Sequence, residues 1–320
     1  MGSTMQVAFL GVGHWHAAMH VDAALALGAT TCAVWDADVA VARRFGAQLG
    51  APTAGTLDEA LAARPDLCVV MERPTSAPAL AARVVDAGIP MVLEKPAAPS
   101  SSALRELHMR AERRGVFVAV PLPHRLGPAM SGLDARDTPV AHASFRIVNG
   151  PPRRYRDDGV AWMLTPEAGG GALRNLGIHG VDSALSLARG SLHVASAHLA
   201  RRLHPEEAIE DHALVTLIDE AGALFSVEAG YTTPSLAAGG DHEWRVATRG
   251  EYRIDRGDSA LSIGVDGARP LAPLPLADRY RAFMADTMER LRDGRPPLVT
   301  LADYVAAMEV IDAAYARAAA

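Results

Sequence analysis

The chain has 320 residues, with 31 lysines and arginines against 37 aspartates and glutamates, for a formal net charge of −6. That length supports one large domain or two moderate ones with a well-buried core, and two is the expectation. Charges of both signs are interspersed, which argues against nucleic acid or a membrane as partner and for a small, soluble substrate.

The cysteines are two, Cys32 and Cys68, each inside an apolar run. They read as small hydrophobes rather than as a disulfide or a metal site, which suits a reducing compartment. No stretch approaches the roughly 18 to 20 apolar residues of a membrane span, and no basic-then-apolar leader opens the chain. A cytoplasmic location is expected on these grounds. Met1 to Thr4 read as a cloning remnant and are excluded from fold reasoning.

From Gln6 to about Val120 short apolar runs alternate with helical patterns: QVAFLG, a helix to Leu27, TTCAVW, a helix to Leu49, DLCVVM, a helix to Ala87, and MVLEKP. This alternation means βαβ units and a parallel sheet. Gly28, Gly50, Gly88 and Gly115 stand where the helical patterns stop.

Within FLGVGHWHAAMH, Gly11-Val12-Gly13 follows a strand and enters a helix, the setting of a dinucleotide-binding turn. The first glycine makes the turn, the second lets backbone approach a pyrophosphate, and the helix N-terminus faces the phosphate charge. A tight turn without ligand is the competing reading. His16 holds the third glycine position, where its side chain either keeps helix and strand apart or points into the nucleotide cleft. His14, Trp15 and His16 then border that cleft. His14 and His16 fall on different sides of a helix, and no cysteine or carboxylate nearby joins them to His20, so no shared metal is expected.

Asp36 ends the second strand roughly twenty residues beyond the glycines, where a carboxylate can accept the ribose hydroxyls and repel a 2′-phosphate. NAD(H) is therefore favoured, with NADP(H) kept open by Arg43 and Arg44; capping the next helix is the alternative role for Asp36. Glu94-Lys95-Pro96 ends a further strand at the carboxyl edge of the sheet. A lysine there can hold a substrate hydroxyl or help remove its proton, and otherwise such a pair is a surface ion pair. Pro96 stiffens the turn and is a candidate for a cis bond.

After Pro121-Leu122-Pro123 the texture changes. Between Thr138 and Val265 the runs VAHASFRIV, SLHVASAHL, HALVTLID, ALFSVEAG, EWRVATRG and YRID read as strands of a largely antiparallel sheet with one face covered. One helical segment, near Ala172 to Ala188, interrupts them. Helices from Asp278 to Arg292 and from Leu301 to Ala318 close the chain, the second starting from Thr300.

The helical segment lies in GGGALRNLGIHGVD, where Asn175, His179 and Asp182 stand at i, i+4 and i+7 on one stripe, with Gly177 and Gly180 leaving room for a close approach. The stripe presents an imidazole that exchanges protons near neutral pH, or else it is a solvated polar face. Arg153, Arg154 and Arg156 beside Tyr155, followed by Trp162, offer forks for carboxylate or sulfonate groups and ring faces for sugars. A solvated loop is the plainer reading of that cluster.

In this order, GVGHWH, Asp36, the EKP of Glu94 to Pro96, HRLGPAM from His124 to Met130, GGGALRNLGIHGVD and the tail GRPPLVTLADYVAAMEVIDAAYARA resemble the Gfo/Idh/MocA family of nicotinamide-dependent sugar and cyclitol oxidoreductases. The resemblance covers nearly the whole chain. It implies a Rossmann-type α/β domain with a parallel sheet over residues 5–122. An α+β domain with a large, open, mostly antiparallel sheet comes next over 123–320, with C-terminal helices able to pack back on the first domain. It further implies a carbohydrate-like substrate bound between the domains and a homodimer or homotetramer built through the open sheets.

Carried over by position, Lys95 resembles the substrate-positioning lysine and His179 the proton-transferring histidine. Arg125, Arg154, Tyr155, Trp162 and Asn175 are candidate substrate-binding residues; Gly11, Gly13, His14, Trp15, His16, Asp36, Glu94 and Lys95 are candidates for the cofactor. Asn175 is a departure, since the family usually has aspartate there and an amide takes up no proton near pH 7. Pro74-Thr75-Ser76-Ala77-Pro78 also departs from the family's P-N-x-x-H.

The expected reaction is hydride transfer from a carbinol carbon to nicotinamide, with His179 removing the hydroxyl proton and Lys95 stabilising the alkoxide. Two alternatives stand beside it. One is a glycosidase that recycles NAD through transient ring oxidation; the other is a non-catalytic NAD(P)-binding regulator, motivated by Asn175.

Overall fold

Apolar runs in the first part of the chain become short parallel strands separated by helices. In chain order these are β1 (Gln6–Leu10), α1 (Ala17–Ala26), β2 (Thr30–Trp35), α2 (Val39–Leu49), α3 (Leu57–Ala62), β3 (Leu67–Val70), α4 (Ala77–Asp86), β4 (Met91–Leu93), α5 (Ser101–Arg114) and β5 (Val118–Ala119). The computed structural model describes residues 4–134, 137–236 and 240–319, so Met1 to Ser3 of the excluded opening lie outside the described residues.

The strands form one sheet in the order β2-β1-β3-β4-β5, every pair parallel. β3 and β4 are buried at every residue, as strands covered on both faces must be, and this accounts for their uninterrupted apolar sequence. β2 lies on one side of β1 and β3 on the other. The order therefore reverses at β1, and the carboxyl ends of β1 and β3 border the crevice where sheets of this type take ligands.

The four glycines expected to stop helices all have left-handed φ. Helix α3 has no counterpart in the periodicity reading, because a single turn carries too few apolar positions to register. It is fixed by a reciprocal cap, with Thr56 Oγ1 accepting from the Glu59 amide and the Glu59 carboxylate accepting from the Thr56 amide.

The second part of the chain holds β6 (Val140–Val148), α6 (Arg154–Asp157), α7 (Ile178–Leu187), β7 (Leu192–Ala200), β8 (His212–Asp219), β9 (Leu224–Gly230), β10 (Asp241–Thr248), β11 (Glu251–Asp255), β12 (Ala260–Gly264) and β13 (Gly267–Pro270). Its sheet runs β13-β12-β11-β10-β6-β9-β8-β7, and among these pairs β6 with β9 is parallel and the others antiparallel. β12 and β13 escape the alternation reading: both are short, β12 has a single buried residue, and β13, the edge strand, is exposed throughout.

Helix α7 packs on β6 and β9. A Cβ on Gly180 would come within 2.9 Å of Phe145 Cβ and Val227 Cγ1, so the room this glycine leaves is taken by the protein's own sheet. Helices α8 (Leu276–Arg292) and α9 (Leu301–Ala319) close the chain. By contacts the chain divides into two compact units, the first comprising residues up to Pro121 with Tyr280–Val305, the second Leu122–Arg279 with the segment from Ala306 onward. No helix among the described residues is long and apolar enough to cross a membrane.

Candidate functional site

In the first unit the turn after β1 is built around two glycines. The Gly11 amide donates to Trp35 O at 2.8 Å, and with φ of +79° a Cβ at Gly11 would sit 2.6 Å from Met71 O, so β1 can turn beside the end of β3 only without a side chain there. The Gly13 amide donates to Asp36 Oδ2 at 2.8 Å, and the Asp38 amide to Asp36 Oδ1 at 2.8 Å. Helix α2 is capped by Asp38, which accepts from Ala40 and Val41. Asp36 is thus no cap; its carboxylate is fixed at the end of β2, directly against the glycine turn.

His16 meets a tyrosine and a carboxylate. Its Nδ1 lies 2.9 Å from Tyr280 Oη and 3.2 Å from Glu94 Oε1. His20, one turn further along α1, places Nε2 2.5 Å from Glu94 Oε2, and the Lys95 amide donates to Glu94 Oε1 at 2.9 Å. The expectation that no carboxylate joins these histidines is therefore overturned: β4 brings Glu94 to them from 74 positions away from His20. The residues are buried, Glu94 being 1% exposed, Lys95 3% and His20 fully covered, so Glu94-Lys95 is not a surface ion pair. The Lys95–Pro96 peptide is cis. No group of three or more residues able to hold a metal ion forms among the described residues.

The electrostatics of this cluster are set by burial first. Burial holds His14 well below the usual imidazole range, with His16 adding to the effect. Burial also lowers His16, against the opposing pull of Glu94. At Glu94 burial pushes the carboxyl up, but the charge of His16 and hydrogen bonds from His16 and His20 overcome it and hold the group well below the carboxylate range. Tyr280 is pushed up by burial and by the Glu94 charge.

In the second unit the polar stripe is buried, with Asn175 2%, His179 7% and Asp182 0% exposed, which removes the solvated-face reading. The helix is not a uniform α-helix: Leu173–Gly177 is π-helical, and such wide turns recur at functional sites. Each stripe residue meets different partners. Asn175 Nδ2 donates to Tyr155 Oη at 2.7 Å and to Tyr231 Oη at 3.0 Å. The His179 ring lies 4.6 Å, centroid to centroid, from His124, which stacks on Trp244 at 4.1 Å. Asp182 accepts a two-pronged pair from Arg125, at 2.9 Å from Nε and 2.5 Å from Nη2.

Behind His179, Trp244 Nε1 donates to Ser183 Oγ at 2.9 Å, and that hydroxyl donates to the His179 carbonyl at 2.8 Å. Through Asp182, Arg125 is tied to α7. Of the arginine cluster, Arg153 and Arg156 are exposed, Arg156 pairing with Glu207, while Arg154 is half-buried and Tyr155 only 1% exposed. Trp162 is half-buried in a short 3-10 turn over Ala161–Leu164. His124, Tyr231 and Trp244 are the residues sequence reasoning missed. They lie on three separate segments, and only the HRLGPAM segment gave any signal.

The family model described as an oxidoreductase family with an NAD-binding Rossmann fold matches residues 5–122, and the GFO/IDH/MocA C-terminal domain matches 140–251. Among curated proteins none matches. Solved structures share the fold over nearly the whole chain. An oxidoreductase from Agrobacterium radiobacter in complex with NAD+, L-tartaric acid and magnesium is 19% identical, with 99% of this chain and 97% of that one covered at a TM-score of 0.83. GenD2 from gentamicin A biosynthesis, in complex with NAD, is 24% identical over 100% and 95% at 0.80. An inositol dehydrogenase homolog from Azotobacter vinelandii, complexed with NAD+, is 15% identical over 100% and 96% at 0.83. With both its NAD-binding domain and its C-terminal sheet domain matched, the chain belongs to the Gfo/Idh/MocA family of oxidoreductases.

Proposed function

We propose that the protein is an NAD(H)-dependent oxidoreductase acting on a hydroxyl or carbonyl group of a sugar, sugar derivative or cyclitol. The observation that carries this reading is Lys95, a lysine only 3% exposed at the carboxyl end of β4 in the NAD-binding domain. That edge is where sheets of this type bind ligands, and the backbone of Lys95 is held there by the hydrogen bond from its amide to the Glu94 carboxylate. The structural neighbours in complex with NAD, an inositol dehydrogenase homolog among them, support the same class of reaction.

The residues present fit NAD. Gly11 and Gly13 give a side-chain-free turn at the helix N-terminus for the pyrophosphate, and Asp36, already held by the Gly13 amide, offers its remaining acceptor capacity to ribose hydroxyls. His14 and Trp15, stacked on each other at 3.9 Å, line the same turn. NAD, when bound, supplies the hydride chemistry. On this reading His179 takes the hydroxyl proton, its ring braced by His124 and its backbone by Ser183. Lys95 stabilises the oxygen on which negative charge develops.

The test is a substrate panel of sugars, polyols and chromogenic glycosides with NAD and with NADP, monitored for reduced nicotinamide and for released aglycone. Reduced nicotinamide without aglycone release is expected. His179→Ala and Lys95→Met should each lower turnover by about 10²- to 10⁴-fold. If both variants stay within about tenfold of wild type, these roles are wrong.

A further inference from the structure

In the second unit, each half-buried or buried arginine pairs with a carboxylate, with one exception. Arg125, Arg146, Arg174, Arg245, Arg253 and Arg279 each lie within ion-pair distance of an aspartate or glutamate. Arg154 has none among the described residues. Its Nη2 donates to Tyr155 Oη at 3.0 Å and its guanidinium carbon stands 4.8 Å from the Tyr155 ring centre, so its partners are a phenol and an aromatic face. Asp158, one turn further along and exposed, forms no ion pair with it, and its charge acts on Arg154 more weakly than Tyr155 and Tyr231 do. His242, the nearby imidazole, is pulled down to about 4 by burial first and by neighbouring arginines, and carries no charge at pH 7.

A guanidinium taken partly out of water with no carboxylate at ion-pair distance is costly, and the cost is reduced when an anion arrives. The surroundings fit that arrival. Tyr155 Oη also accepts from Asn175 Nδ2 at 2.7 Å, and the same amide donates to Tyr231 Oη, so the groups that hydrogen-bond around the Arg154 fork are neutral. Asn175 lies one turn ahead of His179, so Arg154 is two hydrogen bonds away from the segment carrying the proposed proton acceptor. A single guanidinium fork matches one carboxylate in charge and geometry, whereas a phosphate dianion asks for further donors.

We infer that Arg154 receives the carboxylate of the substrate, and that the substrate is a sugar acid rather than a neutral sugar or a sugar phosphate. This rests on the oxidoreductase reading above. The experiment measures kcat/KM with NAD for D-glucuronate against D-glucose, D-galacturonate against D-galactose, and D-glucose 6-phosphate. In parallel, calorimetry measures binding of the same compounds to the NAD-loaded protein.

A charge-assisted contact of this kind predicts an acid-to-neutral ratio of about 10 to 100 in wild type, collapsing towards one in Arg154→Met. Arg154→Lys keeps the charge without the fork and should hold an intermediate ratio, which decides the matter together with the wild-type ratio if the methionine variant does not fold. Neutral sugars turned over or bound as well as the acids, or a preference for the phosphate, would overturn the inference while leaving the oxidoreductase reading standing. Acids bound selectively by wild type and not by Arg154→Met, with no reduced nicotinamide from any compound, would overturn that reading and leave the inference standing.

Discussion

Glu94→Gln keeps the side-chain volume and removes one charge from the centre of the first unit. In the wild type Oε2 meets His20 Nε2 at 2.5 Å, Oε1 accepts from the Lys95 amide at 2.9 Å, and His16 Nδ1 lies 3.2 Å from Oε1. A hydrogen bond to a charged group contributes about 1.5–3 kcal/mol against about 1 for a neutral pair, and glutamine must turn an NH₂ towards one of these donors. The loss summed over these contacts is about 3 kcal/mol, or about 6–12 °C in melting temperature at about 2–4 °C per kcal/mol for a unit of this size.

The sign with pH is fixed by the direction of the Glu94 shift. A carboxyl whose folded pKa is depressed contributes stability that is present above its unfolded value of about 4.3 and lost as pH falls through the folded value. Wild type and variant should therefore melt about 6–12 °C apart from pH 6 to 8 and converge in acid. Thermal unfolding monitored by circular dichroism across that range measures both. If the variant melts within about 1 °C of wild type at pH 7, the carboxylate is not held by these contacts and the account of the cluster fails.

Asp36→Ala should weaken NADH binding by about 10- to 100-fold, read by fluorescence titration, and narrow the preference over NADPH; an unchanged dissociation constant would remove Asp36 from the ribose site. Asp182→Asn breaks the buried pair with Arg125 and should cost about 3–5 kcal/mol in urea unfolding, much of it recovered in the double variant Arg125→Met, Asp182→Leu. His242, with a folded pKa of about 4, leaves the unfolded chain to bind the proton first. Stability is therefore full above about pH 6.5 and falls as pH drops from there to about 4, by up to about 3 kcal/mol, and His242→Gln should flatten that slope. Gly180→Ala drives a Cβ into Phe145 and Val227 and should destabilise by about 1–3 kcal/mol; a neutral effect would mean that α7 can lift from the sheet at little cost.

The parallel sheet was legible because buried strands carry uninterrupted apolar runs and their helices end in glycines free to adopt left-handed φ. The antiparallel sheet was legible where alternation persists, as in β6 and β8, whose buried residues recur at every second position over much of their length. It was not legible in β12, a short strand with one buried residue, or in the edge strand β13, which is exposed throughout and has no apolar face to announce. The turn at Gly11 and Gly13, the end of β2 and the helix bearing His179 could be placed because local spacing alone fixes how a strand gives way to a turn or a helix. His16 could not, because its orientation depends on Glu94 and Tyr280, 78 and 264 positions away along the chain.

The same distinction bears on Asn175. In the sequence it reads as a loss, an amide where a proton-accepting carboxylate is expected. In the structure both hydrogens of that amide are directed at two phenols, one of which also accepts from a guanidinium without a carboxylate partner. A carboxylate at position 175 would sit two hydrogen bonds from Arg154 and add a buried negative charge close to it, and an acidic substrate would then meet a site already partly neutralised. The amide and the unpaired arginine belong to one arrangement: removing the charge at one position leaves the other free to select it from solution. Asn175→Asp should accordingly lower the acid-to-neutral preference by about tenfold or more, since a new charge at this separation competes directly for Arg154. An unchanged ratio would separate the two residues and return Asn175 to a purely structural part in joining the π-helical turn to Tyr155 and Tyr231.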